Sequence, residues 1–512
     1  MAITGVEALP VFVEADLSEG MPSFNIIGSV SAQVREAGDR VRTALKNLNI
    51  HLPPKRLTIN LAPGDTRKDG TRFDLPIAAA ILMTLGRIGE DSLENVMLVG
   101  ELHLDGKVVA VPGVLPSVLC ARETGIETCI VPYDNVNEAS VVSGIRIIGV
   151  SCLNDLIEYC ISGSVPSPED NSVENGEAEV NTPQKNIILP ASKEPDFLDI
   201  KGQTSVKRAA LISAAGFHNL LLCGPPGSGK SMTARRIPGI LPRMTEDEQL
   251  EVSRIYSVSG LLTAEMPIMT QRPFRAPHHS LSAQALCGGG RVPRPGEITL
   301  AHRGVLFIDE LPEMPTKNLE VLRQPLEDRM VLISRVSASY RFPASFIFVA
   351  AMNPCPCGYY PDMKRCTCTP GEIKKYSERI SSPILDRIDL RAEVPAIKYN
   401  DLNGECSGWS SAEMRKMVEA AFDIQNDRYK GLDHCFNSEL SAPEINRFCT
   451  LTPEAEKTIS LAFDKLGLSA RSYHRILKIS RTIADLEGAD IINEAHISEA
   501  LYYRQRLSSD SR

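Results

Sequence analysis

GPPGSGKS, residues 224–231, stands between four apolar residues, Leu220 to Cys223, and a stretch with helical spacing. Strand, glycine-rich loop and helix in that order form the setting of a phosphate-binding loop. Glycines let backbone N–H groups curl around phosphate oxygens, and the helix N-terminus adds positive potential. Gly224, Pro225, Pro226, Gly227, Ser228 and Gly229 make the loop, Lys230 reaches the β- and γ-phosphates, and the Ser231 hydroxyl is a ligand for Mg²⁺. A plain Gly-Pro turn before a helix does not call for the strand, the Lys and the Ser together.

The second half of such a site is GVLFIDE, residues 304–310. Val305 to Ile308 read as a buried strand whose end presents two carboxylates. Asp309 is assigned to Mg²⁺ in a Walker B role. Glu310 is assigned as the general base that polarises the attacking water. A third apolar run, Phe346 to Ala351, leads to Asn353, placed to orient that water as sensor 1 of AAA+ ATPases does. In RISSPILDRIDL (379–390), Arg387 sits between two Asp residues. It is either a surface salt bridge or an arginine finger reaching a neighbouring subunit's nucleotide, a role worth ~10³-fold or more in rate. A finger delivered in trans requires a ring. SARSYHRILKISR (469–481) offers Arg471 as sensor 2, with Arg475 one turn on.

The 512 residues suffice for two or three domains, each with its own core. A hydrophobic share of 43% and a charged share of 23% are ordinary for a globular protein. The N-terminus lacks a basic region followed by an apolar core. The longest apolar run, Leu75 to Leu85, falls short of the roughly 20 residues that span a bilayer. Thirteen Cys, an odd and mostly scattered set, fit a reducing compartment, so the cytoplasm is the expected location. A net charge of −9 argues against a chain that coats nucleic acid with its whole surface and leaves room for local basic loops.

Residues 1–162 read as a compact α/β unit. Val11, Val13, Ala15 and Leu17 alternate as in a strand, and Val34, Ala37, Val41, Ala44, Leu45 and Leu48 recur at helical spacing. Residues 163–190 read as an acidic linker: 163–186 hold five carboxylates, one Lys and three Pro. Residues 191–395 alternate strand-like and helical runs, which suggests a mainly parallel sheet. Residues 396–512 are helical, with Ile476, Ile479, Ile483 and Leu486 on one face of a late helix.

DIKGQ (199–203), GPPGSGKS, FRAPHHSLSAQALCGGG (274–290), PGEITLAHRGVLFIDELPE (295–313), NPCPCG (353–358) and RISSPILDRID (379–389) together resemble the magnesium chelatase-like AAA+ ATPases, within them the ComM/YifB family. The resemblance covers nearly the whole chain. It implies an AAA+ core with a helix-2 insert and a C-terminal helical lid. It also implies ATP and Mg²⁺ as cofactors, a homo-hexamer, and a helicase driving branch migration of DNA in homologous recombination and natural transformation. Recombination proteins are then further partners.

The first domain resembles the Lon protease domain, with its ribosomal S5 domain 2-like fold. The family's nucleophilic Ser is missing from the turn Lys68-Asp69-Gly70-Thr71-Arg72-Phe73-Asp74. In GELHLDGKVVAVPGVLPSV (100–118), Leu115-Pro116 stand where its Lys would fall. Thr71 has no visible base. The expectation is a structural turn whose Lys and Arg residues face a ring neighbour or DNA.

Residues 271–296 hold Arg272, Arg275, Arg291 and Arg294 and no carboxylate, with Gly288-Gly289-Gly290 between them. Arg335 and Arg341 mark an expected basic hairpin in VLISRVSASYRF. Both are assigned to DNA phosphates, against solvated surface or inter-subunit salt bridges as the alternative. His278 and His279, adjacent in sequence, do not converge on a metal and are read as backbone or phosphate contacts. Cys355, Cys357, Cys366 and Cys368 form C-x-C-x₈-C-x-C, which fits a tetrahedral Zn²⁺ site, with free thiols or a redox-labile pair as the alternatives. The competing functions are a chelatase-like motor that remodels a protein and, with the dyad missing, less readily an ATP-dependent protease.

Overall fold

The computed structural model describes residues 1–164, 195–290, 292–335, 339–396, 408–432 and 434–504. The acidic linker and Arg291 fall outside them.

One compact unit holds residues 1–164 together with Glu246–Met269 and the segment Gly290–Pro295. Its first sheet has Arg56–Ala62 in the middle, antiparallel to Phe12–Ser18 and parallel to Ser23–Ile27. Its second sheet is parallel throughout, with Thr128–Pro132 between Val96–Leu98 and Arg146–Val150. Helix Ala32–Asn47 starts where Ser31 accepts from the Val34 N–H, and it buries Val34, Ala37, Val41, Ala44 and Leu45. That is the face read from the sequence.

The charged turn after Arg56–Ala62 is structural. Lys68 and Arg72 are buried, which corrects the expectation that they face a neighbour or DNA. Lys68 donates to the Pro63 carbonyl, and Arg72 donates to the Pro112 carbonyl and to Ser117 Oγ. Burial pushes the Arg72 guanidinium down to about 10, with Glu138 opposing the shift. Thr71 Oγ1 donates to Glu101 Oε2 at 2.5 Å, a carboxylate partner that the sequence had not disclosed. Asp74 opens helix Asp74–Thr84, near the expected Pro76, and receives Arg40 Nε at 2.7 Å.

Helix Glu246–Val258 lies within the range 191–395 in sequence but packs in this first unit, against helix Val114–Glu123. Glu138 is the junction. Its buried carboxylate accepts from the Leu115 N–H at 2.9 Å, from Asn135 Nδ2 at 3.0 Å and from the Ser257 hydroxyl.

The second unit is built on five parallel strands: β1 (Leu220–Cys223), β2 (Phe274–Arg275), β3 (Val305–Ile308), β4 (Ile347–Met352) and β5 (Leu390–Glu393). They lie in the order β2-β3-β4-β1-β5. β1, β3 and β4 are buried along their whole length, as continuous apolar runs in a covered parallel sheet should be. Helices Ser411–Arg428, Pro453–Leu466, Ala470–Leu486 and Glu494–Arg504 follow, and Ile476, Ile479 and Ile483 join the same core. Among the described residues, no helix is long and apolar enough to cross a membrane.

Candidate nucleotide site

Ligands of open parallel sheets bind beyond the carboxyl ends of the strands, where strand order reverses. β1 sits between β4 and β5, and the loop 224–229 leaves its carboxyl end. Gly227 and Gly229 adopt left-handed backbone at φ +74° and +93°, conformations closed to most side chains, so two of the three loop glycines are required by geometry. Helix Lys230–Ile240 begins directly after them.

Lys230 is tethered inside this loop. Its Nζ donates to the carbonyls of Gly224 at 2.7 Å and Pro225 at 2.8 Å, and to Asn353 Oδ1 at 3.1 Å. Burial lowers its pKa, and the charges of Asp309 and Glu310 partly restore it. Ser231 Oγ donates to Asp309 Oδ2 at 2.7 Å. The ends of β1, β3 and β4 therefore bring Lys230, Ser231, Asp309 and Asn353 together as two hydrogen-bonded pairs, joined through the neighbouring Lys230 and Ser231. The buried Ser228 Oγ has no hydrogen-bond partner among the described residues, a polar atom suited to a phosphate oxygen. Hard oxygen donors at Ser231 and Asp309 also suit Mg²⁺.

Glu310 stands just outside that set, with its side chain about half exposed. Its backbone is left-handed at φ +50°, uncommon for a residue with a β-carbon and concentrated at functional sites. His279 Nδ1 lies 3.4 Å from Glu310 Oε2. This pairing gives the second histidine a role that its sequence neighbourhood did not reveal. Gln203, from the DIKGQ segment, is a second residue missed as a site member. Its Nε2 donates to the Ser228 carbonyl at 2.6 Å and clamps the phosphate loop from outside.

Arg387 is buried and ion-paired with Glu327, and it also donates to the carbonyls of Arg323 and Pro383. Arg471 Nη2 reaches the other oxygen of Glu327 at 2.9 Å. The candidate finger and the candidate sensor 2 thus share one carboxylate. Arg475 pairs instead with Asp389 at 3.2 Å. Burial alone would raise the Asp389 pKa, but Arg475 and His218 hold it well below the usual range.

Of the basic set, Arg272 is buried and donates to the carbonyls of Pro242 and Arg303, which removes it from phosphate contact. Arg275 is held by both oxygens of Glu297 at 2.7 Å each. The acid-free stretch therefore ends one residue before the acid that neutralises it, and Arg275 is not a free cation. Arg294 is exposed. Met330–Ser334 and Ser339–Pro343 form the expected hairpin, with Arg335 and Arg341 exposed on it. The Sγ atoms of Cys355, Cys357, Cys366 and Cys368 all lie within 4.8 Å of one another.

Three family models match the chain in succession: "Subunit ChlI of Mg-chelatase" over residues 13–135, "Magnesium chelatase, subunit ChlI" over 196–402, and its C-terminal model over 408–504. The chain is 44% identical to the competence protein ComM of Haemophilus influenzae, across 98% of this chain and 96% of that one. It is 40% identical to YifB of Escherichia coli, an uncharacterised protein, over the same shares. An uncharacterised protein of Mycobacterium tuberculosis is 37% identical across 99% of this chain and 97% of its own. Matches of this extent, on a chain with this phosphate loop and strand order, place the protein among the magnesium chelatase-like AAA+ ATPases of the ComM/YifB family.

Proposed function

We propose that the chain is a hexameric ATP-driven motor acting on DNA, a helicase that moves branched or single strands during recombination and transformation. The observation that carries the motor is the linked set Lys230, Asn353, Ser231 and Asp309 at the ends of three parallel strands. Lys230 and the loop N–H groups would hold the nucleotide phosphates, and Ser231 and Asp309 would hold Mg²⁺. When bound, Mg²⁺ neutralises charge on the phosphate oxygens. Glu310 accepts the proton of the attacking water, His279 holds the carboxylate in place, and Asn353 orients the water.

Support for DNA comes from the exposed Arg294, Arg335 and Arg341 and from the similarity to a protein named for competence. The cysteine cluster is assigned to a structural Zn²⁺. The cytoplasm is the proposed location.

Remodelling of a partner protein is the second reading, favoured by one observation: Arg272 and Arg275 are both occupied within the chain. The deciding measurement is the ATPase rate with and without single-stranded, duplex and four-way-junction DNA. Stimulation by DNA supports the helicase. A rate that ignores DNA, with no DNA affinity at low salt, transfers the case to protein remodelling.

A further inference from the structure

The four thiols sit at an informative spacing. Cys355 and Cys357 Sγ are 3.4 Å apart, Cys355 and Cys366 3.8 Å, and Cys357 and Cys366 3.6 Å. A disulfide needs about 2.05 Å, far less than any of these. Zinc–sulfur bonds of about 2.3 Å in a tetrahedron set sulfur–sulfur edges of about 3.8 Å. The Tyr360 N–H also points at Cys355 Sγ at 3.4 Å, a donor that favours a thiolate.

The cluster is wired to the nucleotide site through a single turn. Cys355 follows Asn353 by two residues, and the Gly358 N–H donates to the Cys355 carbonyl at 3.0 Å. Gly358 is left-handed at φ +86°. A β-carbon there would lie 2.6 Å from Pro226 Cδ, in the phosphate loop, and 3.9 Å from Asn353 Cγ. The turn therefore rests directly on the phosphate loop, while Asn353 at its base holds Lys230. A sequence pattern alone places the cysteines near Asn353 but not against Pro226.

We infer that the four cysteines bind one Zn²⁺ and that its occupancy sets the position of Pro226 and Asn353, so that metal loss slows ATP hydrolysis without removing any nucleotide-contacting group. The inference rests on the nucleotide-site reading above. Gly358 acts in it as a positioning residue. Without the ion, the outer half of the loop, Cys366 to Cys368, loses the sulfur bonds that would lock it against Cys355 and keeps only weak thiol contacts there. The turn then no longer presses on the phosphate loop in one place. Misplacement by about 1 Å near reacting groups costs on the order of 10²-fold in rate.

The test uses the full chain, purified under reducing conditions, with metal content, nucleotide affinity and ATPase rate measured on each sample. The wild type should carry about one zinc per chain, and Co²⁺ substituted for it should give the visible spectrum of a tetrahedral thiolate site. Removing the metal with a chelator should lower kcat about tenfold or more, and added ZnCl₂ should restore it. Gly358→Ala should keep its zinc and still lose kcat, which separates the coupling from metal binding. Zinc-free wild type that takes up no Zn²⁺ on reconstitution overturns the site. Zinc-loaded wild type whose rate is unchanged by stripping and by Gly358→Ala overturns the coupling and leaves the nucleotide site standing. A zinc-loaded wild type that neither binds nor hydrolyses ATP defeats the nucleotide-site reading instead.

Discussion

The Ser231 hydroxyl donates to Asp309 Oδ2 at 2.7 Å, which ties the first turn after the phosphate loop to the end of β3. Two roles that sequence assigns separately are one contact in space. Asp309→Asn keeps the shape of this contact and removes the charge that Mg²⁺ requires. The variant should fold with an unchanged Tm and lose hydrolysis. Lys230→Ala should lose nucleotide binding altogether. Glu310→Gln should bind a fluorescent ATP analogue as the wild type does and turn over ~10²- to 10⁴-fold more slowly. Near-normal turnover by Glu310→Gln would reassign the base.

Arg387 and Arg471 converge on Glu327 within one chain, so a local salt bridge and a finger in trans are both compatible with the contacts of a single subunit. Mixing distinguishes them. Arg387→Ala and Lys230→Ala subunits should each be inactive alone. Mixed rings should regain part of the ATPase rate at interfaces that join an intact Lys230 to an intact Arg387. Absence of recovery in rings proven to be mixed would leave Arg387 as a clasp for Glu327.

Asp485 is the anchor of the C-terminal helices. Fully buried, it accepts from Arg428 Nη1 at 2.9 Å, Arg481 Nε at 3.1 Å and Asn437 Nδ2 at 2.8 Å. Asp485→Ala leaves two cations without their carboxylate, and breaking such a pair typically costs about 3–5 kcal/mol. Denaturant unfolding should report a loss of that order. A change below ~1 kcal/mol would mean that the carbonyls of Ala489 and Asp490 alone satisfy Arg481.

Lys478 gives a pH signature. Burial pushes its ammonium down to about 8, with the Asp389 charge opposing the shift. The unfolded chain, near its ordinary value of about 10.4, binds the proton more tightly. Stability must therefore rise with pH between about 8 and 10, at up to about 1.4 kcal/mol per pH unit from this group. Lys478→Met should flatten that rise relative to the wild type. An identical slope in the two proteins would show that Lys478 stays hydrated in the folded state.

What was legible in the sequence follows distance along the chain. The phosphate loop, β3, β4 and the hairpin around Arg335 each declare themselves within a dozen residues, because backbone periodicity and loop chemistry are local. Partners set by the tertiary fold were not legible. Glu297 stands one residue outside the apparently acid-free stretch and closes on Arg275 across 22 residues. Glu327 lies 60 residues before Arg387 and 144 before Arg471, and no local pattern marks it. The burial of Arg72 has the same origin, since its carbonyl acceptor at Pro112 is 40 residues away. Helix Glu246–Val258 lies inside the ATPase range in sequence, and its place in the first unit comes from tertiary contacts such as Ser257 meeting Glu138, 119 residues earlier.

The DNA prediction moves with the arginines. Arg272 and Arg275 are occupied, so a grip on phosphates has to come from exposed cations, and the hairpin supplies Arg335 and Arg341. A β-carbon on Gly289 would lie 3.5 Å from Arg335 Nη2, which sets the hairpin beside the glycine-rich segment. Replacing both hairpin arginines by Ala removes about two phosphate contacts. The slope of log affinity against log salt should then fall by ~1.8 on duplex DNA and ~1.4 on single strands, whatever the base sequence. Basal ATPase should survive, because neither residue touches Lys230, Ser231, Asp309 or Asn353. If the protein is the proposed helicase, strand displacement should collapse, because force would pass through that grip. Arg275→Ala is the informative comparison: with its charge already neutralised by Glu297, it should leave the salt slope unchanged. A slope that drops for Arg275→Ala and not for the hairpin pair would return the interface to the segment 271–296.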